Sequence, residues 1–186
     1  MSMKVQFEST PNPATLRFLL PVTVAEDTKE FTSVQETQSS PLANKLFGFP
    51  WMSGVLIGPQ FVAVTKQDWV DWDVLAEPLA GLIQEHLESG QPFYLEPEVL
   101  QQKMEEDSAD DTPIVRQIKQ ILVQEIRPMV QLDGGDIVFY KYEDQVVYVH
   151  MKGACSGCAS SQITLKEGIE VRLKQAIPEI MEVVSV

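Results

Sequence analysis

Cys155 and Cys158 are the only thiols in 186 residues, and they stand three apart in Lys152-Gly153-Ala154-Cys155-Ser156-Gly157-Cys158-Ala159-Ser160-Ser161. Two residues between two sulfurs let the chain turn back, so both thiolates can reach one metal ion or one edge of a cluster. Gly153 and Gly157 suit such a turn, because glycine takes positive φ and leaves backbone N–H groups free to approach sulfur, favouring the charged form. Behind the pair, Ser160 and Ser161 precede Gln162-Ile163-Thr164-Leu165-Lys166-Glu167, which reads as a helix start with a serine N-cap. Orphan N–H groups and the positive end of the helix dipole are expected to lower the thiol pKa values there, predisposing the pair to metal binding or redox chemistry.

A CxxC pair by itself admits a redox disulfide, half of a four-thiolate metal site, or an incidental pair. A thioredoxin-like fold needs most of its domain after the motif, whereas 28 residues follow Cys158, room for one helix and one strand. Iron–sulfur clusters and closed zinc sites normally take four ligands. One chain supplies two, so the count points to two chains facing each other across a twofold axis. Zinc held by four cysteines satisfies the same count. A thiol–disulfide oxidoreductase, with Cys155 as nucleophile and Cys158 as resolving thiol, is the alternative from another class.

The other polar residues have structural readings. His150 belongs to a strand and is expected half-exposed, and His86, between Glu85 and Glu88 on a helix, is expected to be solvated. Asp133-Gly134-Gly135-Asp136 reads as a tight turn into a strand. Trp51, Trp69 and Trp72, with Phe47 and Phe49, could form a recognition surface, although core packing is the commoner use of large aromatics. Gly168 in mid-helix would permit close approach of a neighbouring element or subunit. No Ser/His/Asp grouping, phosphate-binding glycine loop or paired-carboxylate site is evident.

The elements that must position the pair follow from periodicity and punctuation. Lys4–Glu8, with Val5 and Phe7 on one face, and Thr15–Leu20 are strands joined by the turn Pro11-Asn12-Pro13. Phe31–Val34 is a further strand. Ser40 caps a short helix that has Pro41 at its first position. Val55–Ile57 and Phe61–Thr65 form a hairpin around Gly58-Pro59-Gln60. Leu75, Leu79, Leu82, Ile83 and Leu87 mark a helix from Asp71 to about Glu88, with its true start expected close to Pro78. Thr112-Pro113 opens another helix, striped by Ile114, Ile118, Ile121, Leu122 and Ile126, which Pro128 is expected to bend or end. Ile137–Tyr142 and Val146–Met151 make a hairpin, followed by the cysteine loop, a helix with Leu165, Ile169, Leu173, Ala176 and Ile177 on one face, and a last strand over Ile180–Val186. The expected fold is α+β: two small domains, each a small sheet against helices, with the CxxC loop between a strand and a helix of the second.

Composition narrows the class. An apolar content of 44% is ordinary for a globular protein with a real core. With 27 acidic against 14 basic residues, the net charge of −13 argues against nucleic-acid and anionic-membrane partners. Between Leu95 and Asp111 seven acids face Lys103 alone. That stretch reads as a mobile or partly helical linker, giving domains 1–90 and 112–186 around an acidic segment 91–111. The first residues show neither a signal-peptide core nor an Arg-rich transit pattern, so a soluble cytoplasmic protein is expected.

These residues resemble a known family over nearly the whole chain. Leu132-Asp133-Gly134-Gly135-Asp136-Ile137, then Gly153–Ser161 and Thr164-Leu165-Lys166, resemble the NifU C-terminal-type domain of Nfu iron–sulfur scaffold and carrier proteins. Upstream, Thr10–Phe18, Ser40-Pro41-Leu42-Ala43 and Gly54–Thr65 resemble the N-terminal domain of many members. The resemblance implies a 4Fe-4S cluster held between two subunits by Cys155 and Cys158 of each, as cofactor and metal ligands, and passed to apo iron–sulfur client proteins. Upstream cluster-assembly proteins are implied as partners, and enzymatic catalysis is not. The family commonly has proline after the second cysteine. Ala159 stands there in this chain, relaxing the backbone at the helix entrance.

Overall fold

The computed structural model describes residues 4–95, 111–156 and 159–186, with only the backbone described at 159–162 and 164. The chain divides into two compact units, Met1–Gln101 and Gln102–Val186. Most of the acidic stretch read as a linker, residues 96–110, lies outside the described residues.

The first unit carries an antiparallel five-stranded sheet in the order β1-β2-β5-β4-β3, from β1 (Gln6–Ser9), β2 (Thr15–Leu19), β3 (Lys29–Phe31), β4 (Met52–Ile57) and β5 (Phe61–Lys66). The two expected hairpins form, with Phe7 opposite Phe18 and Ile57 opposite Val62. Val5 is buried, but Phe7 faces solvent at the sheet edge, its ring 6.0 Å from Phe18, so the two do not share a buried face. The strand expected at Phe31–Val34 ends at Phe31, and Val34–Ser39 is a 3-10 turn. Local hydrogen bonding overrides strand propensity there, because the Glu36 carboxylate accepts from the backbone N–H groups of Thr32 and Ser33.

Two helices cover this sheet. In α1 (Pro41–Leu46) the Ser40 hydroxyl accepts from Ala43 N at 3.0 Å. Helix α2 (Trp72–Glu88) continues through Pro78 and does not start there. The bond that proline cannot make would reach Val74, which is 66% exposed, so water can satisfy that carbonyl. Phe18, Phe31, Leu42, Leu46, Ile57 and Ile83 are fully buried between sheet and helices. His86 is fully buried among them, contrary to the expectation of a solvated side chain. Its Nε2 donates to the Pro92 carbonyl at 3.1 Å, Nδ1 faces Lys45 Nζ at 3.4 Å, and Phe93 meets the ring at right angles.

The second unit starts with a long helical run: α3 (Pro113–Ile121), a π turn over Leu122–Ile126 and α4 (Arg127–Leu132). Thr112 caps it, accepting from Val115 N at 3.3 Å. Ile118, Leu122, Ile126 and Val130 follow at four-residue steps, each of which drifts about 40° around a plain α-helix. The wider π turn, in which Arg127 N bonds to Leu122 O, takes up that drift and leaves all four buried. Pro128 therefore falls in the first turn of α4, where its missing N–H is tolerated, and the run continues to Leu132.

Strands β6 (Gly135–Glu143) and β7 (Val146–Gly153) form the expected hairpin, turning at Asp144 and Gln145, both with positive φ. Helix α5 (Ala159–Ala176) then carries the chain over to β8 (Glu182–Ser185), which lies parallel to β7. Helix α5 starts before both Ser160 and Ser161, the serines expected to supply its cap. Ile169, Leu173 and Ile177 pack with the helical run against Ile137, Val147, Val149 and Val183. Among the described residues, no other element lies within 4 Å of where a Cβ on Gly168 would stand. Among the described residues no helix is long and apolar enough to cross a membrane.

Candidate functional site

The cysteine loop grows out of the end of the β6–β7 hairpin. Gly153 closes the ladder opposite Gly135 and takes φ +66°, the positive value expected for it. Gly134, at φ +78°, accepts a hydrogen bond from Ala154 N at 3.2 Å. Ser156 folds the loop back, its N–H and hydroxyl both reaching the Gly153 carbonyl, at 3.1 and 2.8 Å. The Asp133–Asp136 turn and the cysteine loop are thus two layers of one structure. The reading of that turn as structural holds, and it also seats Cys155.

Cys155 is 3% exposed and joins the core of the second unit. Its sulfur rests against Gly135: a Cβ added there would lie 2.5 Å from Sγ and 2.8 Å from the Lys152 carbonyl. Burial pushes the Cys155 thiol up to about 12, with the carboxylates of Asp133 and then Asp136 adding to the rise. This reverses the expected lowering. Helix α5 begins four residues beyond Cys155, and the effect of a helix terminus fades within its first turn, so desolvation decides. Cys158 lies outside the described residues.

Asp136 is fully buried and takes a two-toothed contact from Arg127, Nε to Oδ1 and Nη2 to Oδ2, both at 2.9 Å. Sequence reasoning missed this pair and the seat on Gly135. Nine positions separate Arg127 from Asp136, so no helical or strand period links them. His150 is half-buried in β7, as expected, with Nδ1 donating to the Val186 carbonyl at 2.9 Å and its ring against Tyr140. Among the described residues no group of three or more His, Cys, Asp or Glu side chains could hold a metal ion. The donor available from them is one soft sulfur, which suits iron bound together with other thiolates.

In the first unit the aromatics divide between core and surface. Trp51 is buried and stacks on Phe49 at 5.0 Å, and Phe47 packs against the core. Trp72 donates from Nε1 to the Pro13 carbonyl, and Trp69 is 67% exposed.

Two family models match this chain: the NifU-like domain over residues 118–184, and the scaffold protein Nfu/NifU N-terminal domain over residues 5–90. NifU-like protein 4, mitochondrial, of Arabidopsis thaliana is 38% identical over 182 residues, covering 96% of this chain and 64% of that one. The mitochondrial NFU1 iron-sulfur cluster scaffold homolog of Drosophila erecta is 40% identical over 189 residues, covering all of this chain and 65% of that one. The human protein of that name is 37% identical over 180 residues, covering 96% of this chain and 70% of that one. The chain thus spans about two thirds of the length of these relatives. A solution structure of a NifU-like protein from Saccharomyces cerevisiae superposes with a TM-score of 0.46 at 21% identity, over 52% of this chain and 89% of that one. All three sequence relatives are named mitochondrial, which overturns the cytoplasmic expectation. That expectation rested on the first residues of the sequence, which show neither a signal-peptide core nor an Arg-rich transit pattern. Matched by both domain models and by these relatives along nearly its full length, the chain belongs to the Nfu family of NifU-like iron–sulfur scaffold proteins.

Proposed function

We propose that this protein is an iron–sulfur cluster scaffold and carrier. Cys155 and Cys158 from each of two copies take up a 4Fe-4S cluster as cargo, and the pair of chains passes it to apo-proteins. The observation that carries this reading is a loop with two cysteines inside a NifU-like domain match, at a strand-to-helix junction built from glycines. Four thiolates are needed, and each chain has two.

The buried state of Cys155 bears on how the cargo is handled. Each thiol must lose its proton to bind iron. The cover over the Cys155 sulfur therefore opens on the side away from Gly135 as the cluster is loaded. With two ligands per chain, separation of the copies frees half of the coordination sites for ligand exchange with a client. The oxidoreductase alternative finds no support in Cys155, since an attacking sulfur has to be an accessible thiolate. The first unit, with Trp69 exposed, would recognise clients or upstream assembly proteins. The names of the relatives point to a mitochondrial location.

Anaerobic reconstitution with iron and sulfide tests the reading, with visible spectra, iron and sulfide content and native mass recorded beside Cys155→Ala. Broad thiolate-to-iron absorption with about four irons per dimer, lost in the variant, is expected. A colourless monomer sinks it, and a colourless dimer retaining zinc makes the site structural. Undiminished transfer by residues 111–186 to every client would remove the recognition role of the first unit.

A further inference from the structure

Arg127 and Asp136 play no part in the ligand count, yet Asp136 adjoins the cysteine seat on Gly135 and Arg127 grips Asp136. The Asp136 side chain is fully buried and that of Arg127 is 12% exposed. Burying two opposite charges costs desolvation that their attraction roughly offsets, so such a pair is weak evidence for stability. What it does supply is geometry, because a planar guanidinium gripping both carboxylate oxygens fixes distance and orientation together. Oδ1 of Asp136 also accepts from Ile137 N at 2.8 Å, so the grip is tied to the β6 backbone. Gly135, the neighbour of Asp136, is the residue against which Sγ of Cys155 rests. Arg127 itself stands where the π turn gives way to α4.

We propose that Arg127 is a positioning residue for Cys155: its grip on Asp136 holds β6 at Gly135 at the depth that seats the sulfur, in the apo chain and when that sulfur is a cluster ligand. The second half of this statement rests on the scaffold reading above, and the first half does not. Arg127→Lys keeps the charge and loses the fork. Asp136→Asn keeps the shape and loses the charge, and it serves should the lysine variant not fold.

The test has two readouts. In a Cys158→Ser background without iron, the rate of Cys155 alkylation by iodoacetamide is measured beside global stability from urea unfolding. In the otherwise unchanged chain, the reconstituted cluster's visible absorption is followed under a chelator. Groups that orient a metal ligand typically change affinity by about 10–100-fold when replaced. Labelling about tenfold faster or more than any loss of global stability accounts for, with a comparably shorter cluster lifetime, is expected for both variants. Wild-type labelling rates overturn the proposal, and so does an acceleration fully matched by the loss of global stability. If the wild-type chain binds no cluster, the scaffold reading fails while the labelling comparison still decides the role of Arg127 in the apo chain.

Discussion

Gly135 and Cys155 share one space: a methyl group on the first would stand 2.5 Å from the sulfur of the second. The Lys152 carbonyl, 2.8 Å from the same point, belongs to the ladder and cannot retreat without breaking the hairpin. Gly135→Ala should therefore expel the sulfur or open the ladder, costing about 1–3 kcal/mol as overpacking does. Chemical denaturation of the apo chain measures the cost, and iron content after reconstitution should fall with it.

The Cys155 thiol, raised from an ordinary 9.0 to about 12, should be nearly inert in the folded apo chain. Three pH units correspond to a roughly thousandfold smaller thiolate fraction below both values. In a Cys158→Ser chain, iodoacetamide labelling at pH 8 should be slow under native conditions and should accelerate by about that factor in urea. Fast native labelling would contradict the burial of this sulfur.

His86 makes the first unit sensitive to mild acid. Burial holds its pKa below the ordinary 6.5, while the Pro92 carbonyl opposes the shift and Lys45 adds to it. Below pH 6.5 the unfolded chain takes up a proton that the folded chain refuses, so stability falls as pH drops below about 6.5. Glu36 and Glu170, whose pKa values are lowered by hydrogen bonds, lose their contributions only as pH falls through the range below 4.5. All three tryptophans lie in the first unit, so their fluorescence in urea titrations between pH 5 and 7.5 reads this slope. His86→Gln should flatten it.

Ser40 is fully buried, caps α1 through Ala43 N and donates its hydroxyl proton to the Phe93 carbonyl beyond α2. Ser40→Ala removes the cap and leaves that carbonyl without this donor, at a cost of about 1–3 kcal/mol. A shifted urea midpoint with unchanged slope would confirm it.

The local features were legible without coordinates. Ser40-Pro41 and Thr112-Pro113 start helices where they should, because a cap bonds within three residues of itself. The Asp133–Asp136 turn and the positive φ of Gly153 were equally readable, since glycine's lack of a side chain acts on its own backbone. Even Pro78, read as a helix start, misled only because what matters is whether Val74, one turn back, faces water.

What the sequence alone determined is the chemistry on offer: two thiols three apart, two α+β units and a family resemblance that the comparisons bear out. What the tertiary structure decided is the electrostatic state of the groups. The environment of a side chain is set by residues that no helical or strand period links to it, such as Gly135 against Cys155, Arg127 against Asp136 and Phe93 edge-on to His86. Desolvation depends on how many such neighbours exclude water, a quantity with no period in the sequence. That is why a helix start just beyond the motif suggested an activated thiol, while burial in the folded chain favours the protonated form of Cys155.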